Sequence, residues 1–313
     1  MAISCACGLS EKKENQYGNT VLNCACLCGY LKLAKSLIEG GCDRNAVDNY
    51  GNNCLINASG HGLIEIVKYL IGVGFDKNWR SKNDGFSAIN GASHYGHLEV
   101  VKYLVSVGAN PKEKDNNGFS PILYASRYGH LEVVKYLKSI GCDVNSKQKD
   151  NANCIYFASL NGHLEVVKYL VSVGGNPNEK DNNGISPIHC ASQNGHLDVV
   201  EYFISIGVNP DTKSNYGWSP IIIASANGHL ELVKYLIQCG CNKNDKTSDY
   251  DTPLHYAATK GQYEVVEYLV SICANLSDKN KDGKTPLDYA KEKQNENENY
   301  RKIINLLVQS GAQ

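Results

Sequence analysis

Apolar and polar residues follow one another in short blocks along most of the chain, and the blocks come in a fixed order. In one stretch a polar turn ends at Gly118 and gives way to the mainly apolar residues 121–126. After Gly129, residues 131–137 place apolar side chains at helical spacing until Gly141. This pattern predicts two short helices, the first beginning at a proline and the second ending at a glycine, as helices commonly do.

The same block order recurs every 33 residues, as the tetrapeptide Gly-His-Leu-Glu shows. It stands at residues 96–99, 129–132, 162–165 and 228–231, with a near copy at 195–198. The last residue of each polar turn marks nine repeats, numbered 1–9 here: Gly18, Gly51, Gly85, Gly118, Asn151, Gly184, Gly217, Tyr250 and Gly283. All intervals are 33 residues except one of 34. Such a period predicts an all-α repeat solenoid of about nine helix-turn-helix units rather than one globular core.

Several repeats carry motifs typical of a known family. Examples are Thr-Pro-Leu-His-Tyr-Ala-Ala at 252–258, Ser-Pro-Ile-His-Cys-Ala-Ser at 186–192 and Val-Gly-Ala-Asn at 107–110. With Gly-His-Leu-Glu-Val-Val in register, residues 17–313 resemble an ankyrin repeat domain, in a form similar to the expanded families of parasitic protists. The resemblance implies L-shaped repeats with β-turn fingers, a curved array, and binding through the first helices and the finger tips. Residues 1–16 are interpreted as an N-terminal capping segment or a tail.

Two repeats depart from the regular spacing. The interval of 34 residues places one extra residue between Asn78 and Gly85, in the finger that opens repeat 3. The last repeat carries an insert of about five residues, within 292–298, between its two helices. The second departure is expected of a terminal repeat, because terminal repeats cap the stack.

Charge and composition narrow the classes of function. The 31 basic and 32 acidic residues nearly cancel, which gives no general attraction to nucleic acid or to a membrane surface. Apolar runs are short and the N terminus lacks a signal-peptide pattern, so neither a membrane span nor secretion is expected. The 13 cysteines are odd in number, which favours reduced thiols over a disulfide framework. We therefore expect a monomer in the cytoplasm, with the nucleus left open.

Residues that could carry chemistry recur at equivalent repeat positions, which favours a structural role for them. Cys42, Cys142 and Cys241 share a position that holds alanine in other repeats, as small buried apolar residues would. The histidine of Gly-His-Leu-Glu also recurs, and we expect it to form a hydrogen bond that holds the turn. No catalytic residue, metal site or cofactor is predicted. An enzymatic alternative rests only on the cysteines.

A column of lysines recurs in six consecutive fingers: Lys114, Lys147, Lys180, Lys213, Lys246 and Lys279. Acidic residues such as Glu113 and Asp181 are interleaved with them. The column is therefore interpreted as a solvated edge of mixed charge. A track for nucleic acid is the alternative.

Specificity for a partner should lie at positions that vary between repeats. Aromatic residues and arginine concentrate at such positions in repeats 3 and 4 and in the irregular finger before them, and are typical of binding hot spots. The predicted binding residues are Trp79, Arg80, Phe86, His94, Tyr95, Phe119, Arg127 and Tyr128, with a smaller cluster at Tyr216 and Trp218. The alternative is that Phe86, Phe119 and Trp218 pack against neighbouring fingers.

These observations predict a non-enzymatic scaffold or adaptor that binds a protein partner on the concave face and finger tips. A regulatory inhibitor or targeting subunit of an enzyme is the alternative, and the sequence does not separate the two. The partner itself is left unidentified, because proteins of this fold share an architecture and not a function.

Overall fold

The structure, a computed structural model, describes residues 15–312, and its regular elements there are helices. Eighteen helices lie in this part of the chain, two in each of the nine predicted repeats. Isolated β-bridges such as the antiparallel pair Arg80–Ser87 occur in the fingers. The predicted all-α repeat solenoid is confirmed. The proposed N-terminal capping segment, 1–16, lies almost wholly outside the described residues.

The first helix of every repeat has seven residues and the second has nine, except for a final helix of twelve. The first helices are α1 (Val21–Leu27), α3 (Cys54–Gly60), α5 (Ala88–His94), α7 (Pro121–Arg127), α9 (Cys154–Leu160), α11 (Pro187–Gln193), α13 (Pro220–Ala226), α15 (Pro253–Thr259) and α17 (Pro286–Glu292). The second helices are α2 (Leu31–Glu39), α4 (Ile64–Gly72), α6 (Leu98–Ser106), α8 (Leu131–Ser139), α10 (Leu164–Ser172), α12 (Leu197–Ser205), α14 (Leu230–Gln238), α16 (Tyr263–Ser271) and α18 (Glu298–Gln309).

The chain divides between Lys149 and Asp150 into two compact parts. The first holds repeats 1–4 and most of the finger that opens repeat 5, and the second holds the helices of repeats 5–9. Within each part, successive first helices pack side by side, as α3 and α5 or α11 and α13 do. Small residues on these helices and the Val-Val-x-x-Leu pattern of the second helices form the core, for example Ala125, Val134 and Leu137. Each part is therefore stabilised by contacts between neighbouring repeats rather than around one centre.

Neighbouring fingers are joined through their backbones. In the turn of repeat 4, the Asp115 amide donates to the carbonyl oxygen of Phe119, and the Asn116 amide donates to that of Asp84 in the preceding finger. The last residue of the turn has a positive φ even where glycine is absent, 67° at Asn151 and 66° at Tyr250. The turn therefore dictates the left-handed conformation, and glycine is the residue that adopts it without strain.

The extra residue of repeat 3 lies within its turn. The Ser81 amide donates to the carbonyl oxygen of Phe86, five residues on, whereas the equivalent bond from Asp115 to Phe119 spans four. In the last repeat, residues 293–297 separate α17 from α18, where residues 260–262 suffice between α15 and α16. The extra residue of repeat 3 is accommodated in a turn, whereas the insert of the last repeat adds two residues to the loop and three to α18. Both helix pairs stay intact.

The recurring histidine joins one repeat to the preceding one. Nε2 of His130 lies 2.8 Å from the carbonyl oxygen of His94, and Nε2 of His229 lies 2.9 Å from that of Gln193. A carbonyl oxygen can only accept, so Nε2 carries the proton in both pairs. The histidine forms a hydrogen bond, as expected, but the expectation that this bond holds its own turn is wrong, because it connects two repeats.

The glycine of the same tetrapeptide makes room for this ring. A Cβ atom at Gly96 would lie 2.4 Å from Nδ1 of His130, and one at Gly195 would lie 2.6 Å from Nδ1 of His229. Glycine and histidine of successive repeats are therefore two halves of one contact. Other donors serve equally well, because Gln262 bonds the carbonyl oxygen of Ala226 and the Tyr300 hydroxyl bonds that of Thr259.

We predict that Gly195→Ala destabilises the protein more than Gly207→Ala. Both glycines have a positive φ, which costs alanine about 1 kcal/mol, but a Cβ at Gly207 meets nothing within 4 Å. Gly195→Ala also displaces the ring of His229, so its loss of unfolding free energy should be larger by about 1–3 kcal/mol. Urea denaturation measures both values, and equal losses would contradict this contact as the cause.

Candidate functional site

Aromatic side chains of repeats 3 and 4 surround a groove of about 380 Å³. We call it the aromatic groove and define it by Phe86, His94, Tyr95, Tyr124 and Tyr128. The imidazole of His94 stacks on Tyr128 with 3.9 Å between ring centroids, and it lies 4.3 Å from the ring of Tyr95. Phe86 meets Tyr124 edge-on at 5.3 Å. The rings thus support one another at distances typical of aromatic pairs.

The fold places these side chains together because they occupy equivalent positions on neighbouring helices. Helix α5 ends at His94 and has Tyr95 as its C-cap. Helix α7 ends at Arg127 and has Tyr128 as its C-cap. Gly91 on α5 leaves space beside Phe86, since a Cβ there would lie 3.4 Å from Cε1 of that ring. A small residue on one helix therefore lets the finger side chain lie over it.

Burial controls the charge state of the groove. Burial, with smaller contributions from His130 and Arg127, lowers the pKa of His94 to about 4, so its imidazole is neutral at neutral pH. The Tyr124 hydroxyl donates to the Asp115 carboxylate at 2.6 Å, and burial followed by this bond raises the tyrosine pKa. The groove is thus lined mainly by neutral rings.

An arginine and two exposed tyrosines lie near one another at the groove. The Arg127 guanidinium lies 5.5 Å from the ring centroid of Phe119 and 5.6 Å from that of Tyr128, within cation–π range. Tyr95 and Tyr128 stay 57% and 39% exposed. Two tyrosines and an arginine are therefore exposed beside a set of packed rings.

The structure brings six of the predicted binding residues together and separates the others. The group of six is Phe86, His94, Tyr95, Phe119, Arg127 and Tyr128. Trp79 lies elsewhere and lines a recess of about 330 Å³ with Arg44 and Phe75. Whether any of these residues contacts a partner stays a prediction.

Arg80 joins its own finger to the next. Its Nη2 donates to the carbonyl oxygen of Lys114 at 2.8 Å, and its Nη1 to the Glu113 carboxylate at 2.9 Å. Lys114 continues the series by bonding the carbonyl oxygen of Lys147 at 2.7 Å, as Lys180 bonds that of Lys213 in the second part. The lysine column therefore forms a series of hydrogen bonds between neighbouring fingers. Arg80 belongs to the same series, but the extra residue in its finger shifts it out of register with the lysines in the sequence.

The smaller cluster lies in the second compact part. Trp218 packs on Tyr256 with 4.3 Å between ring centroids, and its carbonyl oxygen accepts from Nε2 of His189. Tyr216 is 63% exposed and lines a recess of about 280 Å³ with Ile185 and other residues. Trp218 thus packs against the next repeat, while Tyr216 faces outward.

Sequence reasoning missed Tyr124 and Tyr256, which hold the rings of both clusters in place. They occupy the same position on their first helices, four residues after the N-cap. Across the repeats this position reads Cys24, Asn57, Gly91, Tyr124, Phe157, Cys190, Ile223, Tyr256 and Tyr289. Such variety marks a position that faces the groove, and tabulating it would have revealed both tyrosines.

Most cysteines of the described region are buried, and burial raises the pKa of Cys190 and lifts that of Cys241 to about 12. Such thiols are poor nucleophiles at neutral pH. Between residues 15 and 312 no three or more histidine, cysteine or acidic side chains are grouped to hold a metal ion. In the same range no helix is long and apolar enough to cross a membrane.

Comparison with known proteins agrees with this architecture. Residues 3–81, 62–148, 154–247 and 239–313 each match the family model described as ankyrin repeats in three copies. The chain belongs to the ankyrin repeat family. No curated protein matches it in a sequence search.

Many solved chains share the fold. The crystal structure of the human ASB11 ankyrin repeat domain is similar at a TM-score of 0.64 and 27% sequence identity, over 73% of this chain and 99% of that one. Ankyrin repeats are generally protein–protein interaction modules, and the fold is typically non-enzymatic.

We predict that Tyr128→Ala raises the pKa of His94 from about 4 towards the ordinary value near 6.5, because it exposes one face of the imidazole. The folded-state pKa lies below the unfolded one. Stability from this group is therefore present above pH 6.5 and is lost as the pH falls towards 4. NMR titration of the imidazole resonances, with Tyr216→Ala as control, measures the shift. An unchanged His94 titration would contradict the stacked geometry.

Proposed function

We propose that the protein is a non-enzymatic interaction scaffold or adaptor that binds a protein partner through the aromatic groove. The observation that carries this proposal is the exposure of Tyr95 and Tyr128 beside Arg127, in a groove whose other rings are immobilised by packing. Tyrosine and arginine are enriched among the residues that dominate binding energy. Side chains held rigid before binding lose little conformational entropy when a partner arrives.

The groove favours a partner that inserts an apolar or aromatic side chain. His94 is neutral and the Asp115 carboxylate already accepts the Tyr124 hydroxyl. The Asp84 carboxylate also lines the groove and already accepts the Phe86 amide. An inserted acidic side chain would therefore lose its hydration and face this negative charge. Polar groups of the partner are better placed at the rim, near the Arg127 guanidinium.

We place the complex in the cytoplasm, with the chain acting as a monomer. A reducing compartment suits a protein with 13 cysteines, many of them buried at positions that hold alanine or serine in other repeats.

The proposal is tested by affinity capture with the full chain, Tyr95→Ala/Tyr128→Ala, and the matched control Tyr30→Ala. Tyr30 is 62% exposed and lies outside the groove. Proteins retained by the wild type and by the control should be lost from the double variant. With a purified captured protein, the double variant should bind at least about tenfold more weakly, as expected for hot-spot residues. Undiminished binding by a folded double variant would contradict the proposed site.

A further inference from the structure

The finger that opens repeat 3 brings a carboxylate to the aromatic groove. Asp84 precedes the last residue of the turn, and its half-buried side chain lines the groove together with Tyr95 and Tyr124. Its Oδ1 accepts the Phe86 amide at 3.0 Å. Within residues 15–312, no donor bonds its Oδ2 and no basic side chain lies at ion-pair distance. One oxygen of this carboxylate therefore holds the turn, and the other can accept a bond from a partner.

The equivalent position of repeat 8 shows what this carboxylate lacks. There the Lys281 amide donates to the carbonyl oxygen of Asp249, and Nζ of Lys281 lies 3.2 Å from the Asp249 carboxylate. In the first compact part, the Asn116 amide donates to the carbonyl oxygen of Asp84 in the same way. Asn116 has a neutral side chain where Lys281 has an ammonium group. The backbone contact between fingers is therefore kept, whereas the ion pair is not.

The fingers on either side of Asp84 also supply a carboxylate each. Asp48 accepts Nδ2 of Asn57 at 3.3 Å, and Asp115 accepts the Tyr124 hydroxyl, so both carboxylates hold a side chain that lines the groove. Burial and the bond to Asp115 raise the pKa of Tyr124, and the charge of Asp84 adds to them. Three successive fingers thus make their side of the groove negative.

The positive charges near Asp84 do not neutralise it by direct contact. The Arg127 guanidinium, which also lines the groove, belongs to repeat 4 and lies over the ring of Tyr128. Arg80, on the same finger as Asp84, is paired with the Glu113 carboxylate. The groove therefore has a carboxylate from repeat 3 and a guanidinium from repeat 4, with neutral rings around them.

We propose that the partner segment in the aromatic groove carries an arginine or lysine beside the apolar or aromatic side chain that it inserts, and that this basic residue pairs with Asp84. The inference rests on the proposed function and adds the chemistry of the partner. A basic side chain can lay its alkyl stem along the rings while its charged end reaches Oδ2 of Asp84. The ring faces attract a cation as well. An acidic residue at this place would face the Asp84 charge, so the groove distinguishes between segments.

Selection from a library of displayed random peptides, with the full chain as bait, tests this proposal. Peptides that the wild type retains and Tyr95→Ala/Tyr128→Ala loses are ligands of the groove. Among them, arginine or lysine should be enriched beside an apolar or aromatic residue, and acidic residues should be depleted there. If no retained peptide depends on Tyr95 and Tyr128, the proposed function fails and this inference with it. Groove ligands without the basic preference would overturn this inference alone.

Calorimetric titration with one selected peptide measures the effect of Asp84. Asp84→Asn, which introduces the residue found at Asn117 and Asn183, should weaken binding about three- to tenfold. Asn116→Lys introduces the lysine of repeat 9 and should weaken binding in the same direction, because it pairs with Asp84. The matched control is Asp249→Asn, which changes the equivalent residue outside the groove and should leave the affinity unchanged.

A double-mutant cycle shows whether the basic residue of the peptide is what Asp84 binds. Its replacement by glutamine should weaken binding about three- to tenfold with the wild type and hardly at all with Asp84→Asn, because both changes remove the same pair. Binding to the wild type should also fall more steeply with salt than binding to Asp84→Asn. An equal loss from the glutamine replacement in both proteins would overturn the proposed pair, even for a peptide that occupies the groove.

Discussion

Between neighbouring repeats, a side-chain donor at the start of the second helix bonds a carbonyl oxygen near the end of the preceding repeat's first helix. The ring of His130 or His229 lies over a glycine with positive φ, and its Nε2 reaches back across the repeat boundary. This contact fixes how each first helix sits on the next within a compact part. The finger bonds and the packed alanines and leucines depend on that spacing.

The tolerance of this contact explains which residues are constant. Gln262 and Tyr300 replace the imidazole because each can donate to the same carbonyl oxygen. In repeat 2, Leu63 stands at the position of the histidine. A Cβ atom at Gly29 would lie 3.5 Å from its Cδ2, so the leucine side chain lies over this glycine. The glycine recurs because the contact requires both its left-handed conformation and the space that a Cβ atom would fill. The donor can vary, because any side chain that reaches the carbonyl oxygen of the preceding repeat can form the bond.

Most of the architecture could be predicted from the sequence, because repeat period, helix bounds and turn glycines all follow from local patterns that agree with one another. The site was less predictable. Trp79 and Arg80 lie in the one finger with an extra residue, where the repeat no longer indicates which way a side chain points. Tyr124 was missed because its position on the first helix resembles a stacking position, and only the fold shows that it faces the groove.

We associate the proposed function of this chain with departures from the repeat. Side chains at the constant positions form contacts between repeats, as the hydrogen bonds of Arg80 and Lys114 to the next finger illustrate. Aromatic residues at variable positions of repeats 3 and 4 create the aromatic groove. The same stack can therefore present a distinct surface without altering the contacts that build it.

Hydrogen exchange of the chain with a captured partner bound tests this division of roles most directly. The account predicts slower exchange at the finger turns and helix ends that form the aromatic groove, around residues 84–95 and 117–128. Exchange in the second helices α6 and α8 should be unchanged, because their positions serve the stack. Protection of α6 and α8 with no change around the groove would contradict the account.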